Sequence, residues 1–272
     1  MILTPGFAHA EAPDQTKAGD RLTIVVMAGE QLELVRIGAL VFGNKRTSVA
    51  LPDDAFDVAI ASALSTEIQA EMQYTPKIMI PDRANRERYR KVIQDSLGGV
   101  FSRTLVSAPE ELKQLANECS CNRLLLVLGS SITNGPNSNQ RFGPIAWTGL
   151  TGISGEPTQT ALWLPLEYLL IDPASMKLLD STASSGDDYD GFANEPLSPK
   201  LWEPSMLEVS SEAWGALHAA AKRLMARSSK LPLFRIGLRP SCGIKFHITR
   251  RVRGEPVPEP SLPPGADVSK CL

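Results

Sequence analysis

Residues 123–129 read RLLLVLG, an apolar run unbroken between Arg123 and Gly129. A strand with one wet face alternates apolar and polar positions. A run without alternation is a strand covered on both faces. Covering both faces requires helices on either side of a parallel or mixed sheet. This one stretch therefore sets the expected class: α/β, a mixed sheet covered by helices.

The rest of the chain supplies the layers. RLTIVVM (21–27) is β-branched and apolar, hence a strand. LELVRIGALVFGN (32–44) and TSVALP (47–52) follow with hairpin character. Pro52-Asp53-Asp54 opens a helix through Gln73, whose stripe is Phe56, Ile60, Leu64, Ile68 and Met72. KIMIP (77–81) reads as a short buried strand. A second helix spans 84–97 with Tyr89, Val92, Ile93 and Leu97 inward, and Gly98-Gly99 ends it. Ser107 and Glu110 form a capping box with Pro109 in the first turn. That helix buries Leu112, Leu115 and Cys119. Residues 134–139 are a loop of turn formers. From Arg141 to Thr160 four Gly and two Pro point to a long irregular, flap-like region. ALWLPLEYLLID (161–172) and KLLDST (177–182) read as a hairpin across Asp172-Pro173-Ala174-Ser175. A helix capped by Ser205 with Glu208, or by Ser210, runs to about Arg227 with Trp214, Leu217, Ala221 and Leu224 inward. GIKFHITRRV (243–252) is a last strand, and 254–272 a Pro-rich extended tail. The domains expected are a signal-peptide remnant and disordered N-terminus (1–20), one α/β domain (21–253) and the tail (254–272).

Charge and cysteine content narrow the setting. Net charge is −2, which gives no field favouring nucleic acid or an anionic membrane. No apolar run reaches the ~18 residues that span a bilayer. Ala8-His9-Ala10 before Glu11 is an A-x-A processing signature after an apolar stretch broken by Pro5-Gly6. It lacks a basic start, so the expectation is a signal peptide whose start lies upstream of Met1. Glu11, not Cys, follows the cut, so no lipid anchor is expected there. Four cysteines, Cys119, Cys121, Cys242 and Cys271, suit one or two disulfides in an exported, periplasmic or secreted protein. Direct closure of Cys119–Cys121 is expected to be strained; Cys242–Cys271 and Cys121–Cys242 are both open. Zinc is a poor fit, because there is no second close Cys pair and His9, His218 and His247 are scattered.

One stretch raises catalysis. LLLVLGSSITNG (124–135) resembles the opening block of the GDSL/SGNH serine esterases, a strand followed by Gly-Asp-Ser-Ile-Thr, which would make Ser131 the nucleophile. Such an enzyme needs a His and a carboxylate behind it. That family carries them as Asp-x-x-His. Here Gly215 precedes His218 by three and Ile244 precedes His247 by three, and Ser130 replaces the block's Asp. The Gly-x-Asn-Asp block is also absent. Ser131 with His218 or His247 is kept as the alternative. Elsewhere, GDDYDG (186–191) has part of a calcium-loop pattern, but the position of the bidentate Glu holds Leu197, so a solvated acidic loop is expected. Residues 230–253 are wholly basic among charges, with a solvated or intramolecular role expected. The four Trp form no periodic stripe. They are expected in the core or over the long loop.

A second resemblance covers roughly residues 55–225. YTPKIMIPDRANRERYRKVI (74–93), PEELKQLANECSCNRLLLVLGSSIT (109–133) and LWLPLEYLLIDPASMKLLDST (162–182) match an order of elements. That order is similar to the curli-assembly lipoprotein family and the related TolB amino-terminal and penicillin-binding-protein activator domains. The resemblance implies an α/β domain with a non-enzymatic role in envelope assembly or partner activation, in which the Gly-Ser-Ile-Thr stretch is only a strand end. It carries over no functional residue. The expected protein binds a protein partner in the cell envelope, with no cofactor, metal or nucleic acid, and the Gly-rich region is its expected partner surface.

Overall fold

A computed structural model describes residues 21–37, 45–51, 54–72, 74–97, 107–129, 145–150, 157–183, 194–198, 209–239, 251–252 and 255–256. Ser131, His247, Cys242, Cys271, the GDDYDG segment, Ala8-His9-Ala10 and nearly all of the tail lie outside them. The strands are β1 (Leu22–Met27), β2 (Gln31–Ile37), β3 (Lys45–Ala50), β4 (Lys77–Met79), β5 (Arg123–Gly129), β6 (Ile145–Leu150), β7 (Pro157–Trp163), β8 (Leu166–Asp172), β9 (Lys177–Ala183), β10 (Asn194–Pro196) and the two-residue pair β11 (Arg251–Val252) and β12 (Glu255–Pro256). The helices are α1 (Ala55–Met72), α2 (Arg83–Ser96), α3 (Glu110–Cys119), α4 (Ser211–Ser228) and α5 (Lys230–Arg235).

The expected α/β fold is present, with β5 at the centre of a five-stranded sheet ordered β4-β1-β5-β8-β9. β4, β1 and β5 run parallel, and β8 and β9 continue antiparallel. Leaving β1, the chain moves outward to β4 through α1, then reverses across β1 to β5 through α2 and α3. With one hand of crossover, the reversal places the connections on opposite faces. Side-chain alternation shows this. Leu22, Ile24 and Val26 of β1, Leu125 and Val127 of β5, and Tyr168 and Leu170 of β8 pack with α1 and α4. Val25, Met27, Leu124, Leu126, Leu128, Leu169 and Ile171 pack with Tyr89, Ile93, Leu112 and Leu115 of α2 and α3. The unbroken apolar runs of β1 and β5 follow from this double cover.

A second five-stranded sheet, β10-β7-β6-β2-β3, was not expected. It takes β6 and β7 from the Gly-rich region read as irregular, and β6 pairs with β2 in parallel across more than a hundred residues. ALWLPLEYLLID is not one strand. β7 ends at Trp163 in the second sheet and β8 starts at Leu166 in the first, and Pro165, which has no N–H for a ladder, sits at the crossing. Leu32, Leu34 and Leu162 join the α1/α4 core, so the two sheets share it.

Four local expectations are corrected. β4 is not buried: it is the edge strand, with Lys77 and Ile78 exposed. The helix at 110 has Pro109 at its N-cap and no side-chain cap bond, so Ser107 and Glu110 form no capping box. Residues 230–235 form α5, an apolar turn of helix that buries Leu233 and Phe234. Cys119 and Cys121 are joined directly, with Cα atoms 5.1 Å apart. The bond is accommodated because Ser120 takes the left-handed conformation (φ 50°, ψ 40°) as the C-cap of α3, which folds the two cysteines toward each other. Ser210 is the cap of α4, accepting the Ala213 N–H at 3.2 Å.

The cysteine pair sits at the C-terminal end of a helix, where the dipole disfavours a thiolate; reactive pairs use the opposite end. It is a brace on the turn from α3 into β5. A three-residue loop stabilises by only about 1.5 kcal/mol in the chain-entropy picture. Reduction, or replacing both cysteines by Ser, is therefore expected to lower the thermal midpoint by roughly 3–6 °C without unfolding the chain, as read by circular dichroism melts with and without reductant.

Candidate functional site

In open α/β sheets, ligands and catalytic groups gather at the carboxyl ends of the parallel strands. Here that edge holds the densest set of charges among the described residues. β1 ends at Met27, and Ala28-Gly29-Glu30 turn the chain into β2. Gly29 has φ 142°, which a side chain would resist. Asp54 and Asp57 stand at the start of α1, Pro81 and Asp82 precede α2, and Arg83 and Arg86 lie in its first turn.

Arg86 is the hub, with a side chain only 3% exposed. Its Nη1 meets Asp57 Oδ2 at 2.8 Å and its Nη2 meets Asp54 Oδ1 at 2.6 Å. Its Nε and Nη2 also donate to the Pro81 carbonyl, at 3.3 and 3.0 Å. Glu30 Oε1 lies 3.6 Å from Nε. Asp57, 2% exposed, accepts the Ala28 N–H on its other oxygen at 2.9 Å. Arg83 binds Glu30 at 3.2 Å and donates to the Leu51 carbonyl beyond β3. Asp82 caps α2 by accepting the Asn85 N–H at 3.0 Å, and the Asn85 donors hold its carboxyl below the usual range.

Three carboxylates thus face two guanidiniums. Burial pushes the Asp57 carboxyl up to about 7, outweighing the opposing pull of the Ala28 N–H and the Arg86 charge. Such a value would suit a general acid or base. The geometry does not. Arg86 spends its donors on Asp57, Asp54 and Pro81, and both Asp57 oxygens are taken. Only Asp54 and Arg83 are about half exposed. The cluster is a closed junction of β1, β2, β3, α1 and α2. Among the described residues, no group of three or more His, Cys, Asp or Glu is set to hold a metal ion.

The sequence candidates sit apart from this junction. β5 ends at Gly129, whose carbonyl accepts a 2.6 Å bond from Gln94 of α2. Ser131 follows two residues later, outside the described residues, as is His247. His218 lies on α4, 5.1 Å from the Phe56 ring and 6.1 Å from that of Trp214 by centroid. Its Nε2 is shut from solvent with no hydrogen-bond partner among the described residues. Glu195, from the acidic segment, is buried and binds Arg223 (2.7 Å) and Arg227 (3.0 Å) of α4, tying β10 to that helix. Arg239, from the basic segment, is buried against Glu71 (2.8 Å) of α1. The acidic and basic segments therefore pair with helices through these residues.

Sequence reasoning missed the Arg86 junction. Arg86 and Arg90 are buried on a helix read by its apolar stripe alone. The one available signal was an Arg in the first turn of α2, where the helix dipole disfavours a cation unless carboxylates stand close.

No family model matches the chain, and no curated protein matches it. Among solved structures, it is similar to a PelC dodecamer from Paraburkholderia phytofirmans, with 10% identity over 77% of this chain and 87% of that one and a TM-score of 0.28. It is also similar to protein XCC0632 from Xanthomonas campestris, with 7% identity over 81% and 87% and a TM-score of 0.32. A third is lipoprotein GNA1162 from Neisseria meningitidis, with 13% identity over 75% and 97% and a TM-score of 0.24. Overlaps this loose carry no activity or partner across.

At pH 8, where Asp57 is ionised, Arg86→Met strands a buried carboxylate and is expected to cost about 3–5 kcal/mol in urea unfolding. Adding Asp57→Leu should recover part of that loss, since the two sites are coupled. The sign for pH follows from the raised carboxyl. Folded Asp57 holds its proton more tightly than the unfolded chain does. Its stabilising contribution is complete below the ordinary carboxylate value of 3.8 and is lost as pH rises through about 7. Unfolding free energies from urea titrations between pH 4 and 7 should fall by up to ~1.4 kcal/mol per pH unit from this group. Asp57→Asn should remove that part of the slope.

Proposed function

We propose that this chain is an exported, non-catalytic α/β protein that binds a protein partner in the cell envelope. The observation that carries this reading is the closed Arg86 junction. At the sheet edge where this class of fold usually keeps reactive groups, the charges are consumed in joining elements. The Cys119–Cys121 disulfide supports an oxidising compartment, because such bonds persist there and are reduced in the cytosol. Ala8-His9-Ala10 supports export. Residues 21–253 are proposed as one domain, with 1–20 a signal remnant and 254–272 an extended tail. The partner surface is proposed on the Gly-rich region that includes β6. Order of elements, rather than any motif, supports the likeness to the curli-assembly and TolB amino-terminal families.

The second reading is a divergent GDSL/SGNH-type esterase using Ser131 with His218 or His247. It is supported by the position of Ser131 just past the end of the central strand. The two readings separate in one assay. Purified protein is expected to hydrolyse a short-chain nitrophenyl ester no faster than Ser131→Ala does; turnover lost in that variant would establish the esterase. Compartment is read independently. In source cells, Cys119 and Cys121 should resist alkylation until reductant is added, and the protein should leave with the periplasmic or secreted fraction. Free thiols in a cytosolic fraction would overturn export.

A further inference from the structure

β9 is the seven-residue outer strand of the first sheet, and an outer strand offers N–H and C=O groups to any chain that can pair with it. Two features interrupt that offer. The ladder with β8 pairs Leu170 with Asp180 but Ile171 with Leu178, so Leu179 is an extra residue with no partner on β8. Such a bulge bends the strand and raises its twist, which spoils the match to a straight incoming strand. Leu179 is 52% exposed, the largest exposure among the large apolar side chains of the described residues. One residue on, Asp180 Oδ1 accepts the Ser181 N–H at 2.8 Å. That donor is held by its neighbour's side chain, and a carboxylate on an outer strand repels the carbonyls of an approaching strand.

The opposite edge is limited in a different way. β4 has only three residues, and Pro81, which lacks an N–H, follows two residues after its end. Lys77 of β4 turns its ammonium to the carbonyls of Glu118 and Cys119 at the end of α3.

We propose that the Leu179 bulge and the Asp180 carboxylate act together as a guard that closes the β9 edge to strand pairing with a second copy of this chain. Shortness limits β4, whereas β9 is long enough to pair and carries an exposed Leu.

The test removes both parts. Deleting Leu179 restores one-to-one pairing with β8, and Asp180→Ala frees the Ser181 N–H. Sedimentation velocity on the double variant is expected to show self-association strengthened by roughly tenfold or more over the parent chain. Adding Ser181→Pro, which removes the freed donor, should return it to the parent's behaviour. Equal association of parent and double variant would overturn the proposal, as would association that survives Ser181→Pro. If the double variant does not fold by circular dichroism, Asp180→Ala alone decides through hydrogen exchange. Loss of the carboxylate should speed exchange of the Ser181 amide by roughly fivefold or more, and an unchanged rate would overturn the guard.

Discussion

One buried guanidinium holds the corner at the carboxyl ends of β1 and β4. Arg86 reaches across from α2 to Asp57 and Asp54 on α1, and its ring of partners includes the Pro81 carbonyl and, through Arg83, Glu30 and the Leu51 carbonyl. Five elements meet there. An apolar corner of the same size would pack, but it would not fix direction. A planar fork of donors matches only one arrangement of acceptors. The turn from β1 into β2, the entry into α1 and the entry into α2 are thereby set relative to one another. Crossover handedness sets α1 and α2 on opposite faces of the sheet, and the junction joins the turns that lead into them.

The hydrophobic layers follow from that layout. β1 and β5 place alternate residues into two separate cores, one beneath α1 and α4 and one beneath α2 and α3. The first core is the larger because it also receives Leu32, Leu34 and Leu162 from the second sheet. Charges do the remaining joining. Glu195 ties β10 to α4, and Arg239 ties the segment after α5 back to α1. Asp57, Arg86, Glu195 and Arg239 are thus bridges between elements, and the most perturbed carboxyl, Asp57, belongs to architecture.

Much of the local structure was legible. α1, α4 and the long strands stand where periodicity and β-branched runs placed them, since each depends on residues within a turn or a pleat of one another. Errors cluster where a distant partner decides. KIMIP is apolar enough for an inner strand, yet nothing in those residues says that no further strand pairs beyond them. The Gly-rich region is strand because β2 pairs with β6, a choice made by sequence far away. Disulfide geometry alone makes direct closure of the cysteine pair look strained. The left-handed Ser120 folds the two cysteines toward each other, and only the helix end it caps makes that conformation favourable. Of the candidate site residues, His218 packs against Trp214 and Phe56, the latter a contact with a residue far along the chain that no local pattern records.

The sequence by itself determined the layering. An unbroken apolar strand must be covered twice, and the helical stripes at 55–72 and 84–97 provide cover on the two faces, because both signals arise from the period of a single element. Tertiary structure alone decided that there are two sheets, which strands are edges, and that Arg86 gathers Glu30, Asp54 and Asp57. These choices depend on pairing and charge contacts between residues tens of positions apart. The free energy of such contacts exists only once the intervening chain has already turned, so no local pattern records it.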